Sequence, residues 1–154
     1  MGKSFNYLCI LTVLIIASHS APTEAMEDGR NAAKAMAIKA SELIKTKGKK
    51  SAFTVFEQKG GEFQNKALYV FVLNLSGVVL SHGADKKLIG KNLSKIKDQN
   101  GKKFVQEFIE VAKSKGVGWV DYVWPHPVTK KDAPKSSFII GAGKNLLVGV
   151  GAYN

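Results

Sequence analysis

Cysteine is nearly absent from this 154-residue chain: the single one, Cys9, lies inside an N-terminal apolar run. That excludes a disulfide framework and a zinc site built on paired cysteines, so the domain must rely on its core. Acidic residues are scarce too, 12 against 23 Lys and Arg, leaving a formal charge of +11. Such a field favours anionic partners: nucleic acid, an acidic membrane surface or a small acid. The lysines recur from Lys34 to Lys144 without forming one block, so a solvated basic surface accounts for much of this charge. Beyond the N-terminal segment the histidines are His82 and His126, and neither has a second ligand residue at useful spacing. No metal and no cofactor are expected.

Catalytic patterns are equally thin. Ser136 and Ser137 lack a G-x-S-x-G setting. Asp121 and His126 lie five residues apart across a strand end and a proline turn, where convergence is not required. Gly141-Ala-Gly143 falls between strand signals, not before a helix, so it is no nucleotide cradle. Few aromatics are placed for base stacking, which argues against nucleic acid. The reading is a binding domain and not an enzyme.

There is one long apolar run, Tyr7 to Ala17, preceded by Lys3 and followed by small residues up to Ala25. Its eleven residues fall short of the ~20 needed to span a bilayer. Charge, short apolar segment and small-residue exit form the pattern of a cleavable secretory signal, assigned here to residues 1–25. The remainder, 26–154, has the length of one domain and is expected to be exported, periplasmic or secreted.

Within that domain Ala33, Met36, Ala37, Ala40, Leu43 and Ile44 recur at steps of three and four, predicting an amphipathic helix over Glu27–Lys47 closed by Gly48. Ser51 to Gln58 can add a short second helical segment. Two apolar runs, Ala67–Leu73 and Val78–His82, flank Asn74-Leu-Ser-Gly77 and predict an antiparallel hairpin. A lysine-rich connection leads to a helix around Phe104, Val105, Phe108, Ile109 and Ala112. Three strands follow, at Gly118–Trp124, Lys135–Ile140 and Asn145–Tyr153. Short links between strands favour an antiparallel sheet of about five strands with helices packed on it, an α+β domain.

Period two places Val120, Tyr122 and Trp124 on one face of their strand, with Trp119, Asp121 and Val123 on the other. Lys135, Ser137 and Ile139 share a face, as do Leu147, Gly149, Gly151 and Tyr153. Tyr122 and Trp124 would wall a cup whose cationic head is Lys135, with a hydroxyl from Ser136 or Ser137, a mix suited to a small organic anion. A solvated edge lysine that discourages aggregation explains Lys135 equally well. Gly149 and Gly151 mark either a ligand's close approach or a tightly packed helix.

Several motifs in register carry a family likeness: Tyr69-Val-Phe-Val-Leu-Asn-Leu-Ser-Gly-Val-Val-Leu-Ser-His82, Leu88-Ile-Gly-Lys-Asn-Leu93, Asp98-Gln-Asn-Gly-Lys-Lys-Phe104, Gly118-Trp-Val-Asp-Tyr-Val-Trp-Pro-His-Pro127, Pro134-Lys-Ser-Ser137 and Leu147-Val-Gly-Val-Gly151. Together they resemble the single Cache domain family from about Tyr69 to Tyr153. The resemblance implies a PAS-like antiparallel sheet, a long N-terminal helix against it, and extracytoplasmic sensing of small molecules, often short carboxylates. It places the ligand contacts at Tyr122, Trp124, Pro125 and Lys135, with His82 as a further candidate. The departures are Asn74 and Ser76 in a turn that is usually acidic, Gly83 where proline is common, and Phe138 where tyrosine is frequent. With no signalling module after the sheet, the expectation is a free-standing domain that binds a short carboxylate and presents it to a membrane-bound sensor kinase or chemoreceptor. The alternative is an interaction module with an empty pocket, whose basic surface docks on a partner protein or an anionic membrane surface.

Overall fold

The computed structural model describes residues 22–65 and 67–154. Of the expected leader, residues 1–21 lie outside the described residues, and 22–25 open the first helix. Helix α1 runs Pro22–Phe56 and breaks at Gly48, whose φ of 77° and ψ of 163° are non-helical. The predicted helix, its glycine stop and the short second segment are therefore one long element with a kink. Glycine adopts this backbone without the Cβ penalty that other residues incur.

Strands β1 (Gln64–Asn65), β2 (Leu68–Asn74) and β3 (Val79–His82) follow α1. After a one-turn 3₁₀ segment at Lys86–Leu88 come α2 (Phe104–Ser114), β4 (Val117–Pro125), β5 (Asp132–Gly141) and β6 (Leu146–Tyr153). All pairings are antiparallel, and the main order is β1-β2-β6-β5-β4 with β3 also on β2. The expected five strands are all present. The sixth, β1, is two residues long and too short to leave a periodic signal in the sequence.

The sheet separates two apolar layers. Beneath it, Ala33, Ala37, Ala40, Ile44, Ala52 and Phe56 of α1 bury against Val70, Val72, Phe138, Val148, Val150 and Ala152. Small side chains let the helix lie close to the strands. Above it, Phe104, Val105 and Phe108 of α2 pack on Tyr69, Phe71, Val120, Tyr122, Ile139 and Leu147. Leu88, Leu93 and Ile96 of the lysine-rich connection anchor to this upper layer. Among the described residues no helix is long and apolar enough to cross a membrane.

The β2–β3 turn explains why the non-acidic Asn74 is tolerated. Its Oδ1 accepts from the backbone N–H groups of Ser76 and Val78 at 3.0 and 2.9 Å, the bonds a carboxylate would otherwise accept.

Candidate functional site

The register Tyr122↔Lys135 and Lys135↔Tyr153 sets three of the site's side chains side by side on the upper face of the sheet. Lys135 is 1% exposed, and its strand lies between β4 and β6, so it is not a solvated edge lysine. Its Nζ donates to the Tyr69 hydroxyl at 2.7 Å. The same nitrogen also sits 3.9 Å from the Tyr69 ring centroid and 4.7 Å from that of Tyr153. No carboxylate reaches it among the described residues.

This is a costly arrangement. Removing an ammonium from water costs several kcal/mol even after relaxation, and the aromatic faces return about 2 kcal/mol. Burial accordingly holds the Lys135 pKa well below the ordinary lysine value. The surrounding phenols respond in the opposite sense. Burial raises Tyr69 and Tyr122 strongly and pushes Tyr153 up to about 12. Each phenol therefore stays neutral and serves as a hydrogen-bonding tip.

Those tips form a chain. Tyr69 and Tyr153 hydroxyls are 3.3 Å apart, and Tyr153 donates onward to the Pro125 carbonyl at 2.9 Å. The Tyr122 and Ser137 hydroxyls are 3.0 Å apart. Phe104 stacks on Tyr122 with ring centroids 4.4 Å apart and meets Trp124 edge-on, fixing both aromatic walls from α2. His82 is buried, with its ring 4.9 Å from that of Tyr69, and its Nδ1 accepts from the Asp85 N–H at 2.9 Å. Burial, followed by the nearby Lys135 charge, lowers its pKa to about 4 against a weaker opposing pull from Asp85, so the imidazole is neutral at pH 7.

Two cavities meet here. An inner, almost wholly apolar one of about 20 Å³ is walled chiefly by Phe71, Leu93, Phe104, Phe108 and Tyr122. An outer cleft of about 460 Å³ opens between Trp124, Pro125, Pro127, Lys87 and Lys130. Tyr69, His82 and Trp124 line both. Pro125 belongs only to the exposed rim, and Lys135 lines neither cavity, being covered by the Tyr69 hydroxyl that bonds it.

Tyr122, Trp124, Lys135 and His82 are thus gathered in one neighbourhood, and three points left open by the sequence are decided. Ser136 faces α1, where it donates to Asp121 at 2.5 Å and accepts from Arg30, so only Ser137 offers its hydroxyl to the upper face. Phe138 also faces α1, with its ring 5.1 Å from that of Trp119, so the phenol it lacks would not have entered the cup. Gly149 and Gly151 make way for neighbouring side chains, not for a ligand or a helix. A Cβ on Gly149 would lie 2.1 Å from the Phe71 ring, and one on Gly151 would lie 2.0 Å from Lys135 Cε. Tyr69 and Tyr153 are the members that sequence reasoning missed. Tyr153 had the period-two signal, sharing its face with Gly151, while Tyr69 passed for an ordinary strand aromatic. His126 does not pair with Asp121; its Nδ1 accepts from the Val128 and Thr129 N–H groups and folds the tip of the β4–β5 hairpin.

The sequence profile of the Cache domain matches residues 26–154. The chain belongs to the Cache domain family. As a Cache sensor domain it is 29% identical over 86 residues to the methyl-accepting chemotaxis protein McpP of Pseudomonas putida, taking in 55% of this chain and 16% of that protein. The chain therefore corresponds to a small part of that relative's length. A methyl-accepting chemotaxis protein of Vibrio parahaemolyticus has a similar fold, with a TM-score of 0.71 at 22% identity over 85% of this Cache domain and 92% of that chain. The periplasmic sensor domain of a chemotaxis protein superposes with a TM-score of 0.65 at 26% identity, covering 85% and 96% of the two chains. A Cache chemosensory domain described for its carboxylic acid recognition gives 0.64 at 24% identity, over 85% and 92%.

Proposed function

We propose that this Cache domain is an exported sensor module that binds a short-chain carboxylate, with Lys135 as the counter-ion. The observation that carries this reading is the buried Lys135 amine, which has one neutral acceptor and no acidic partner among the described residues. Charging that buried amine is costly while no anion lies beside it, and a carboxylate ligand removes the cost. Entry of the acid displaces the Tyr69 hydroxyl from Lys135. Tyr122, Ser137 and Trp124 then offer polar tips to the carboxylate, and the inner apolar cavity takes the tail. A volume of about 20 Å³ holds one water-sized group, so the tail is short unless Phe108 or Leu93 moves. A charge-assisted hydrogen bond to the acid contributes about 1.5–3 kcal/mol. The ligand-loaded domain would act through a membrane-bound sensor kinase or chemoreceptor.

The test is thermal unfolding of residues 26–154 against two- to five-carbon carboxylates. Ligand at a hundredfold over Kd should add about 2.7 kcal/mol, or about 5–10 °C at this chain length. A flat response to every acid, with salt-sensitive binding to anionic vesicles, would favour a basic docking module with an unused pocket.

A further inference from the structure

We infer that this site binds an acid together with a proton, Lys135 being the group that receives it. The inference rests on the carboxylate reading above and specifies how pH regulates that site. Lys135 is 1% exposed, and Tyr69 is its one hydrogen-bond partner among the described residues. An ammonium has three N–H donors, so the arrangement leaves two without an acceptor, whereas a neutral amine needs fewer partners. Among the described residues no carboxylate pairs with the group to balance a positive charge. From β2 it meets Tyr69, from β6 Tyr153, from β4 Tyr122 and from β3 the neutral His82. From α2 the apolar Phe104 and Phe108 line the adjoining inner cavity and bring no charge. Asp85, the carboxylate of the outer cleft, caps the 3₁₀ segment through the Lys87 N–H. The charges facing it there, Lys87 and Lys130, are themselves basic and exposed.

Burial therefore favours the uncharged amine in the empty site, and an arriving carboxylate reverses the preference by supplying the missing opposite charge. The ligand enters as an anion, the amine takes a proton from solvent, and the bound pair is a carboxylate and an ammonium. Charge balances as anion plus proton. Affinity must then fall about tenfold per pH unit across the interval between the empty-site and bound-site pKa values of Lys135. The site responds to acidity as well as to the acid, and a rise in pH releases its ligand.

The experiment titrates residues 26–154 with sodium propanoate in two buffers of widely different ionisation enthalpy, at a series of pH values from about 5 to 10. Expected are binding that weakens with pH and a buffer-dependent heat that reports uptake approaching one proton per propanoate. Lys135→Arg, which cannot lose its proton, should bind without uptake, and His82→Gln should retain it. Binding with equal heats in both buffers and a Kd independent of pH would overturn the inference while leaving the carboxylate reading intact. Uptake that vanishes in His82→Gln would overturn it by moving the proton to the imidazole. Absence of binding by this and every other short acid at all pH values would sink the carboxylate reading itself.

Discussion

Two basic side chains lie on opposite faces of the same pair of strands, and their surroundings differ completely. Below the sheet, Arg30 of α1 stacks 4.1 Å from the Trp119 ring centroid, donates to the Ser136 hydroxyl at 3.0 Å and lies 3.7 Å from the Asp121 carboxylate. Above it, one residue from Ser136, Lys135 has aromatic faces and a single phenol. The lower cluster is a closed account of charge and hydrogen bonds. In the upper one the Lys135 amine has a single neutral acceptor and no carboxylate partner among the described residues, inside the second apolar layer. The contrast separates a cation whose partners are all in place from an amine with one neutral partner.

The largest test of that contrast is acid. His82 has an ordinary pKa of 6.5 and a folded value of about 4, so its contribution is complete above 6.5 and is lost as pH falls through about 4. The total is about 3 kcal/mol, and urea unfolding at a series of pH values should show a slope over this window that His82→Phe flattens. An unchanged slope in the variant would mean the upper layer is not closed around a neutral imidazole. Next in size is Gly151→Ala, whose Cβ occupies the space of the Lys135 stem and the Ser137 hydroxyl. Denaturant midpoints should report a loss of about 2 kcal/mol.

Removing the two charges then gives opposite signs. Lys135→Met keeps the volume and deletes the uncompensated amine, and should stabilise the empty domain by about 1–2 kcal/mol while abolishing its response to acids. Arg30→Met breaks satisfied bonds at a partly exposed site and should cost about 1 kcal/mol, with acid binding retained. Equal signs in calorimetry would erase the distinction between the faces. The smallest effect belongs to Phe138→Tyr, which adds a phenol on the α1 face. Acid affinity by titration should stay within about twofold, because that face does not share partners with the cup.

Period and turn chemistry made much of the architecture legible. The alanine stripe of α1, the Asn74–Gly77 turn and the alternation of β4 each carry their partner's face in their own spacing, and the five principal strands follow from them. Tyr122 and Trp124 were recognisable as pocket walls because alternate residues of a strand point the same way. Two-residue β1 was not legible, since a pattern needs more than one period to be seen. Ser136 and Ser137 could not be separated until β5 had a register, and one step of register reverses every side chain. Gly149 and Gly151 were correctly marked as places of close approach, but what approaches is set by the neighbouring strand.

The sequence by itself determined which residues share a face, where the chain turns and that a family likeness runs through its motifs. These are properties of local covalent geometry and of spacing along one strand. Only the tertiary structure decided that Lys135 is buried, that Tyr69 covers it, and that no carboxylate among the described residues pairs with it. Burial and charge balance depend on what distant segments bring from β2, β3, β6 and α2, and no window along the chain contains that sum.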